Sequence, residues 1–435
     1  MKLLTGIQAL YQEAHEFMDI GTQYGFANPQ SMTEGAYQGK VALVNGVRTV
    51  DMTRLDYLSL GQSDVIRKIM KDCIDRYNIS CPTSQMALKS ESTVRLERAL
   101  ADFHGMRDSV IYLSGYSTNE NVIQALALRL RSPHVGPYVS DTGLGEATKG
   151  IPTEFFIDSE SHYSIQYNIK LARQKNKAHC LSHIFPTTDY DSLRAKLDKS
   201  REERGDNAVR IIVSDTISSM SGKVYDVAAL CEIAEEYDCL VYLDEAHAVG
   251  SYGAEGRGLA STMSEFTRYK DRLLIMGTLT KAFAQLGGYV AVADEALSCY
   301  LRACSPQYIF SAPLSPWMAE VVIRTLDVVR GEYGRQEREK LSAVSTHFKD
   351  GLNAKGFDTL GSASQIVPVF IGEEEKSSRV KAYLEQNGYT SSLFMCPGVP
   401  GGQSIIRFSL CSDITIDEVD EVIALLVNAR RMFDF

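Results

Sequence analysis

Short apolar runs alternate with helix-like patterns between about residues 61 and 295, and this alternation constrains the fold more strongly than any other feature. The segment Asp226–Tyr237 is one such helix pattern. Because strands joined through helices lie parallel, the alternation predicts an α/β fold with a mostly parallel sheet and helices on both faces. The clear strand candidates are Ser109–Leu113, Phe155–Ile157, Arg210–Val213, Leu240–Leu243 and Leu273–Met276.

Different patterns flank this region, and together they predict an N-terminal arm or small-domain segment followed by two domains. Residues 1–60 are expected to form an N-terminal arm, in which Met1–Met18 shows loose helical periodicity and Asn45-Gly46 marks a hairpin. Residues 61–295 would form the large α/β domain, and residues 296–435 a smaller α+β domain.

The smaller domain carries its own strand and helix signals. Val367–Ile371 and Ile405–Ser409 read as strands. Thr415–Glu418 is a capping box, because a hydroxyl and a glutamate at this spacing can each accept the other's backbone N–H at the start of a helix.

Residues 131–153 are rich in glycine and proline and predict a long loop. Loops of this length are usually functional or disordered. A lid over a substrate site and a structureless excursion both fit the composition.

Composition disfavours several classes of function. The formal net charge of −10 argues against nucleic acid as a partner. No run of 18 apolar residues occurs, so we expect no membrane span, and the first residues lack the apolar stretch of a secretory signal. The nine cysteines form no CxxC pair, which fits a reducing compartment. We therefore expect a cytoplasmic protein.

Lys281 lies just beyond the last strand candidate of the large domain, near the hydroxyl residues Thr278 and Thr280. A lysine amine can form a Schiff base with an aldehyde cofactor, and neighbouring hydroxyls can hold a phosphate. A lone lysine in a turn is more often a plain surface residue, so the prediction depends on a second motif upstream.

That second motif contains Asp244 and His247. Asp244 falls at the end of the Leu240–Leu243 run, where open α/β sheets place their ligands, and its carboxylate can keep a pyridine nitrogen protonated. His247 is close enough in sequence to hydrogen-bond an oxygen on the same ring. Taken alone, the Asp-Glu-x-His string also fits a metal site or a nucleotide-hydrolase motif. Together with Lys281, 37 residues downstream, it predicts pyridoxal phosphate.

These motifs resemble those of the α-oxoamine synthases, which are pyridoxal-phosphate enzymes on the aspartate-aminotransferase fold (fold type I). The similar stretches are Asp244–Gly250, Gly253–Gly258 and Gly277–Ala282, within a likeness that runs from about Asp56 to the C-terminus. The resemblance implies condensation of an amino acid with an acyl thioester, of coenzyme A or an acyl carrier protein, with loss of carbon dioxide. Another reaction on this fold, such as transamination or decarboxylation, stays open.

Within the family, the C-terminal part is most similar to the aminoketone autoinducer synthases, over Tyr383–Gly388 and Ser391–Phe394. Relative to the family pattern, residues 131–153 look like an insertion.

The resemblance also implies which residues hold the cofactor phosphate. Ser114, Gly115 and Tyr116 follow the Ser109–Leu113 strand candidate, and a glycine turn into a helix presents backbone N–H groups to an anion. Thr278 and Thr280 would add hydroxyl donors. Ser311 matches the position from which the neighbouring subunit reaches the phosphate, which implies a homodimer with shared active sites.

Three further residues have roles implied by the resemblance. His162 would stack on the pyridoxal ring, with its nitrogens towards the substrate, and Ser219 would lie near the ring oxygen. Arg407 would bind the amino-acid carboxylate, which its planar guanidinium suits. From the residues alone, a hydrogen-bonded loop histidine and a solvated strand arginine are the commoner interpretations, so these roles depend on the resemblance. The catalytic set is then Lys281, His162, Asp244 and His247.

One departure from the family pattern concerns the substrate pocket. The family usually shows Asn-Asp-Tyr-Leu-Gly-Leu where this chain has Leu55–Leu60, and Leu55 replaces an asparagine that helps to hold the substrate carboxylate. The stretch Ser80–Gln85 also departs from the usual glycine-rich sequence. We expect an amino-acid pocket different from that of the enzymes that use glycine, alanine or serine.

Overall fold

The computed structural model describes residues 6–24, 33–44, 46–129, 150–396 and 398–435. In these residues the strands are β1 (Thr33–Gln38), β2 (Val41–Val44), β3 (Val47–Val50), β4 (Asp108–Tyr112), β5 (Thr153–Asp158), β6 (Cys180–Phe185), β7 (Val209–Asp215), β8 (Leu240–Asp244), β9 (Leu273–Thr278), β10 (Gly288–Val292), β11 (Ile366–Gly372), β12 (Ser392–Phe394) and β13 (Ser404–Ser409). The α-helices are α1 (Gly6–Tyr24), α2 (Asp64–Arg76), α3 (Glu91–His104), α4 (Gly115–Leu128), α5 (Tyr163–Lys175), α6 (Tyr190–Arg204), α7 (Val227–Glu236), α8 (Phe266–Tyr269), α9 (Glu295–Cys304), α10 (Pro306–Phe310), α11 (Pro316–Arg330), α12 (Glu332–Ala354), α13 (Glu374–Gln386) and α14 (Ile416–Phe433).

A seven-stranded sheet in the order β4-β10-β9-β8-β7-β5-β6 forms the centre of the fold. Its neighbouring strands pair in parallel, except that β10 is antiparallel to both β4 and β9. The mostly parallel sheet is therefore confirmed, and each strand candidate of the large domain coincides with a strand, except that Leu113 lies one residue beyond β4. The prediction missed β6 and β10. Strand β6 lies at the sheet edge, and its middle residues are only partly buried, so it is not a continuous apolar run.

Alternate residues of each strand point to opposite faces of this sheet, and both faces are buried. Phe155 and Ile157 of β5 pack in one apolar cluster with Ile165 of α5. Phe156, between them, packs in a second cluster with Leu193 of α6 and residues of α7. Helices therefore cover both faces, as the alternation of elements predicts.

A smaller antiparallel sheet in the order β11-β13-β12 lies in the C-terminal part of the chain, among helices α12, α13 and α14. The predicted strands β11 and β13 are confirmed, whereas the three-residue β12 was missed. The capping box at α14 is also present, since Thr415 N donates to Glu418 Oε2 at 2.8 Å and Glu418 N donates to Thr415 Oγ1 at 3.3 Å.

The predicted hairpin is formed by β2 and β3, in which Val44 pairs with Val47. It is attached to the C-terminal part, because Val50 N donates to Gly388 O at 2.8 Å and Thr390 N donates to Val50 O at 3.0 Å. The division at residues 60 and 295 stays a prediction.

The predicted 131–153 loop lies outside the described residues, apart from its last few positions. Across the described part of the chain, every helix is too short or too polar to be a membrane-spanning candidate.

Candidate active site

A cavity of about 240 Å³ opens where β8 and β9 end and where α4 and α5 begin. This is the edge of a parallel sheet at which ligands usually bind. Its walls bring together nine of the predicted site residues: Ser114, Gly115, Tyr116, His162, Asp244, His247, Thr278, Thr280 and Lys281. Asn119 and Asp215, which were not predicted as site residues, also line it.

Lys281 projects into this cavity, and its Nζ lies 2.8 Å from His247 Nε2. Burial lowers the pKa of Lys281 from 10.5 to about 8, although the carboxyl groups of Asp244 and Asp215 act in the opposite direction. A larger fraction of this amine is therefore neutral near neutral pH than for an ordinary lysine, and the neutral amine is the nucleophile and base.

His247 links this lysine to the N-terminal segment. Its Nδ1 lies 2.6 Å from the Tyr57 hydroxyl, and its backbone carbonyl accepts a 2.8 Å hydrogen bond from Gln365 Nε2. Burial is the largest cause holding the pKa of His247 well below its ordinary value, and the nearby charge of Lys281 adds to it. A neutral imidazole has one accepting nitrogen, so His247 can accept from the Lys281 ammonium and donate to Tyr57.

The carboxylate of Asp244, which lines the cavity, is held in place by two hydrogen-bond donors. Its Oδ2 accepts from Asn119 Nδ2 at 2.8 Å, and its Oδ1 accepts from Ala246 N at 3.0 Å. The Asn119 amide is fixed in turn, because its Oδ1 accepts from the Tyr242 hydroxyl at 2.6 Å and its Nδ2 also donates to Ser164 Oγ at 2.9 Å. Asn119 therefore orients the Asp244 carboxylate.

His162 lies at the N-terminus of α5 and joins the hydrogen-bond network of Asn119 through Ser164. Its Nδ1 lies 2.7 Å from Ser164 Oγ, and its backbone N–H donates to Asp215 Oδ1 at 3.1 Å. Its Nε2 forms no hydrogen bond within the described ranges. Burial lowers the pKa of His162, so the neutral ring is favoured, and Nε2 is left available to a ligand.

Asp215 adds a second buried carboxyl group beside Asp244. Burial is the largest cause that raises the pKa of Asp215 well above its ordinary value, and the Asp244 charge contributes. Two such groups in one cavity do not both ionise readily. Asp215 therefore holds a proton more readily than an ordinary aspartate, and it positions His162 by accepting from its backbone N–H.

The N-terminus of α4 forms a cradle for an anion. Ser114 caps the helix, with its Oγ accepting from Ser117 N at 3.1 Å, whereas the N–H groups of Gly115 and Tyr116 find no acceptor in the described segments. A Cβ on Gly115 would lie 2.9 Å from Met276 Cε and 3.2 Å from Thr278 Cβ, so glycine permits the close approach of helix and strand. The Thr278 and Thr280 hydroxyls lie 2.8 Å apart beside it.

The remaining predicted residues do not line the cavity. Arg407 Nη1 donates to Ser219 O at 2.6 Å, and its guanidinium carbon lies 4.6 Å from the centre of the Phe394 ring. Arg407 Nε is buried without a partner among the described residues. Ser311 follows α10 and is half-buried, with its Oγ donating to Ala312 O at 3.4 Å.

Leu55, at the position of the departure from the family pattern, packs against the apolar cluster that includes Phe348 and Phe408.

These residues fit pyridoxal phosphate. The free N–H groups and hydroxyls at the start of α4 suit its phosphate, Lys281 suits its aldehyde carbon, and Asp244 suits its ring nitrogen. Asn119 and Asp215 were missed because their contacts join distant parts of the chain. Asn119 could have been found from its position one helical turn after Gly115, on the helix that supplies the cradle.

Known proteins share both the sequence pattern and the fold. The sequence matches the family described as aminotransferase class I and II over residues 49–426. It is 29% identical over 409 residues to 8-amino-7-oxononanoate synthase of Geotalea daltonii, covering 94% of this chain and 95% of that one. Identity is 29% over 395 residues with serine palmitoyltransferase of Sphingobacterium spiritivorum, covering 91% and 90%. It is 26% over 416 residues with 2-amino-3-ketobutyrate coenzyme A ligase of Escherichia coli, covering 95% of each.

Among solved structures, serine palmitoyltransferase from S. paucimobilis superposes with a TM-score of 0.81 at 21% identity, covering 100% of both chains. The 8-amino-7-oxononanoate synthase of Francisella tularensis gives 0.68 at 21% identity, covering 89% of this chain and 99% of that one. The predicted aspartate-aminotransferase-like fold, the resemblance to α-oxoamine synthases and pyridoxal phosphate as cofactor are confirmed. The finer likeness to the aminoketone autoinducer synthases stays a prediction.

Proposed function

The chain belongs to the class I and II aminotransferase family and is a pyridoxal-phosphate-dependent acyltransferase of the α-oxoamine synthase type, and we propose that it joins an α-amino acid to an acyl thioester. A carbon–carbon bond forms between the α-carbon and the acyl carbon, the thiol leaves, and the amino-acid carboxyl group leaves as carbon dioxide. The product is an α-aminoketone. The observation that carries the proposal is the Lys281 amine, held 2.8 Å from a neutral His247 in the cavity that Asp244 lines.

Cofactor binding is assigned to both ends of this cavity. Ser114, Gly115, Tyr116, Thr278 and Thr280 would hold the phosphate through N–H and hydroxyl groups. When bound, pyridoxal phosphate supplies an electron sink for negative charge at the α-carbon.

At the other end of the cavity, Asp244 would pair with the protonated ring nitrogen, and Asn119 keeps its carboxylate in place. Ser219 and His247 are proposed to lie near the ring oxygen.

Proton transfer at the α-carbon is assigned to Lys281. With a pKa of about 8, its amine is neutral often enough to take this proton and is still basic enough to hold it. His247 accepts a hydrogen bond from the resulting ammonium, so the proton stays beside the α-carbon and can be returned after carbon dioxide is lost.

Substrate binding is assigned to His162 and Arg407. His162 is proposed to stack on the cofactor ring, with its free Nε2 towards the thioester oxygen, where it can donate to the developing negative charge. Arg407 Nη1 donates to Ser219 O, and the other N–H groups of the guanidinium can donate to the amino-acid carboxylate. Because Leu55 offers no amide there, we propose a pocket more apolar than that of the glycine, alanine and serine users.

The site is proposed to be shared in a homodimer. Ser311 does not line the cavity of its own chain, and the neighbouring Phe310 is 73% exposed. A partner chain that covers Phe310 would bring Ser311 towards the partner's phosphate cradle. We also propose that the enzyme acts in the cytoplasm, in keeping with its nine free cysteines.

Release of free thiol tests the reaction. The purified, cofactor-loaded protein would be given a panel of amino acids crossed with short, medium and long acyl-CoAs, in parallel with the same acyl groups on a carrier protein. Thiol release that requires one amino acid supports the proposal and names the substrates. Amino-acid turnover without thiol from either donor would instead point to a transaminase or decarboxylase.

A further inference from the structure

A second cavity, of about 350 Å³, lies between the segment that follows β8, the helix α12 and the segment before β11. It shares no lining residue with the cofactor cavity, and the proposed reaction does not use it. The residues that bear on its chemistry are Ser251, Arg335, Arg338, Ser345, Lys349 and Gln365, together with the carboxylate Glu339, which forms an ion pair with Arg335.

Three buried oxygen atoms in its walls lack hydrogen-bond partners. They are Ser251 Oγ, Ser345 Oγ and Gln365 Oε1, and none has a partner in the part of the chain that the structure describes. The three residues are 9%, 4% and 1% exposed, respectively. A buried polar group left unpaired costs roughly 1–3 kcal/mol, so three around one cavity indicate an occupant with polar atoms.

Gln365 restricts what that occupant can be. Its Nε2 donates to the His247 carbonyl at 2.8 Å, and only the NH₂ side of an amide can donate to a carbonyl. The Oε1 atom is therefore the free one, and it can only accept. The occupant must present an O–H or N–H group to it.

Two cationic side chains of the cavity, Lys349 and Arg338, can attract an anion. Lys349 Nζ donates to Ser364 O at 3.1 Å, and Arg338 Nη1 donates to Val329 O at 2.7 Å. Neither cation forms an ion pair with a described carboxylate. Burial lowers the pKa of both groups, although nearby carboxylates act in the opposite direction, Asp350 on Lys349 and Glu255 and Glu339 on Arg338. Arg335 also lines the cavity but is paired with Glu332 and Glu339.

We propose that this cavity binds a phosphate group, either as free phosphate or as a phosphate monoester. Its ionised oxygens would accept hydrogen bonds from Lys349, Arg338 and the two serine hydroxyls, and its remaining P–O–H would donate to Gln365 Oε1. Phosphate esters have a second pKa near 6, so this O–H is well populated at about pH 6. Sulfate matches the tetrahedral shape but is fully ionised and has no donor for Gln365.

Calorimetric titration of the full-length, cofactor-loaded protein at about pH 6 tests the proposal, with inorganic phosphate, methyl phosphate and sulfate as separate probes. We expect one phosphate per chain and sulfate binding at least about 10-fold weaker, because a buried acceptor would face an oxyanion without a donor. Whichever of phosphate and methyl phosphate binds more tightly identifies the free ion or the ester as the source.

Variants separate this site from the cofactor's own phosphate cradle. Lys349→Met should weaken phosphate binding about 10-fold or more, and Ser345→Ala should weaken it a few-fold, with cofactor absorbance unchanged in both. Lys340→Met is the matched control, because Lys340 lies on the same helix but pairs with Glu337 outside the cavity.

Equal affinity for sulfate and phosphate would overturn the inference that the occupant donates a hydrogen bond to Gln365 Oε1. Phosphate binding that survives both variants, or no binding of any anion, would overturn the proposal and leave water as the occupant.

Discussion

Lys281 Nζ lies 2.8 Å from His247 Nε2. The pairing is unusual, because each partner is a basic group and burial depresses the pKa of both. One proton shared between them satisfies both, with the lysine donating to a neutral imidazole. His247 is held in turn by Tyr57, so a residue of the N-terminal segment reaches the reactive lysine through one intermediary.

Lys281 should react as an amine with a lowered pKa. Its carbamylation by cyanate in the cofactor-free protein should rise with pH and level off above about 8, because only the neutral amine reacts and the pKa is lowered to about 8. Peptide mass spectrometry at a series of pH values gives the profile. A rate that keeps rising to the ordinary lysine value of 10.5 would show that the cavity does not depress this pKa.

His247 should influence that profile through its acceptor nitrogen. His247→Leu removes the acceptor of the Lys281 ammonium and should shift the carbamylation midpoint to lower pH, by about one unit for the loss of a charge-assisted hydrogen bond. His247→Gln keeps an acceptor oxygen and should shift the midpoint less. An unchanged midpoint in the leucine variant would mean that the contact carries no energy.

Asp244 and Asn119 should differ in the size of their effects. Asp244→Asn removes the charge beside the ring nitrogen and should lower kcat by about 100-fold or more. Asn119→Ala keeps this charge but removes the donor that orients the carboxylate, together with the contacts of Asn119 to Tyr242 and Ser164, so we expect a loss of about 10-fold, mainly in kcat. Asn121→Ala serves as the control, because Asn121 is also buried but lies outside the cavity. Equal losses of activity in Asn119→Ala and Asn121→Ala would contradict the positioning role of Asn119.

Gly115→Ala should weaken cofactor binding by about 10-fold or more, since a Cβ there would press on Thr278 and Met276 and widen the phosphate cradle. Retention of cofactor absorbance during dialysis measures this. Gly401→Ala should have no effect, because nothing lies within 4 Å of a Cβ at that position. Full retention in the Gly115 variant would show that the phosphate is held elsewhere.

Glu245 should make stability depend on pH. Burial raises its pKa from 4.5 to about 8, so in this window the folded state keeps a proton that the unfolded state has lost. The contribution of the Glu245 carboxyl group to the free energy of unfolding is complete below pH 4.5, and it falls by up to about 5 kcal/mol as pH rises through 8. Glu245→Gln should flatten this part of the curve of unfolding free energy against pH. A curve identical to that of wild type would contradict the assignment.

The part of the site that could be predicted follows from sheet geometry. Lys281 and Asp244 each follow an apolar run, and the ends of neighbouring parallel strands meet at one edge, so sequence order alone brings them together. The glycine turn before α4 was predictable for the same reason.

The remainder depends on contacts between distant segments. Tyr57 meets His247 across 190 residues, and Asn119 meets Asp244 across 125. No local pattern marks such pairs. Arg407 was predicted as a carboxylate ligand, but its hydrogen bond to the Ser219 carbonyl was not predicted. Secondary-structure propensity does not say where the backbone of a distant loop will lie.

The most direct test of the account compares free thiol and carbon dioxide released by the wild-type protein with one amino acid and one acyl thioester. We expect equal amounts of the two products, both dependent on the acyl donor, and neither from Lys281→Ala. Carbon dioxide released without thiol, or turnover that persists in Lys281→Ala, would contradict it.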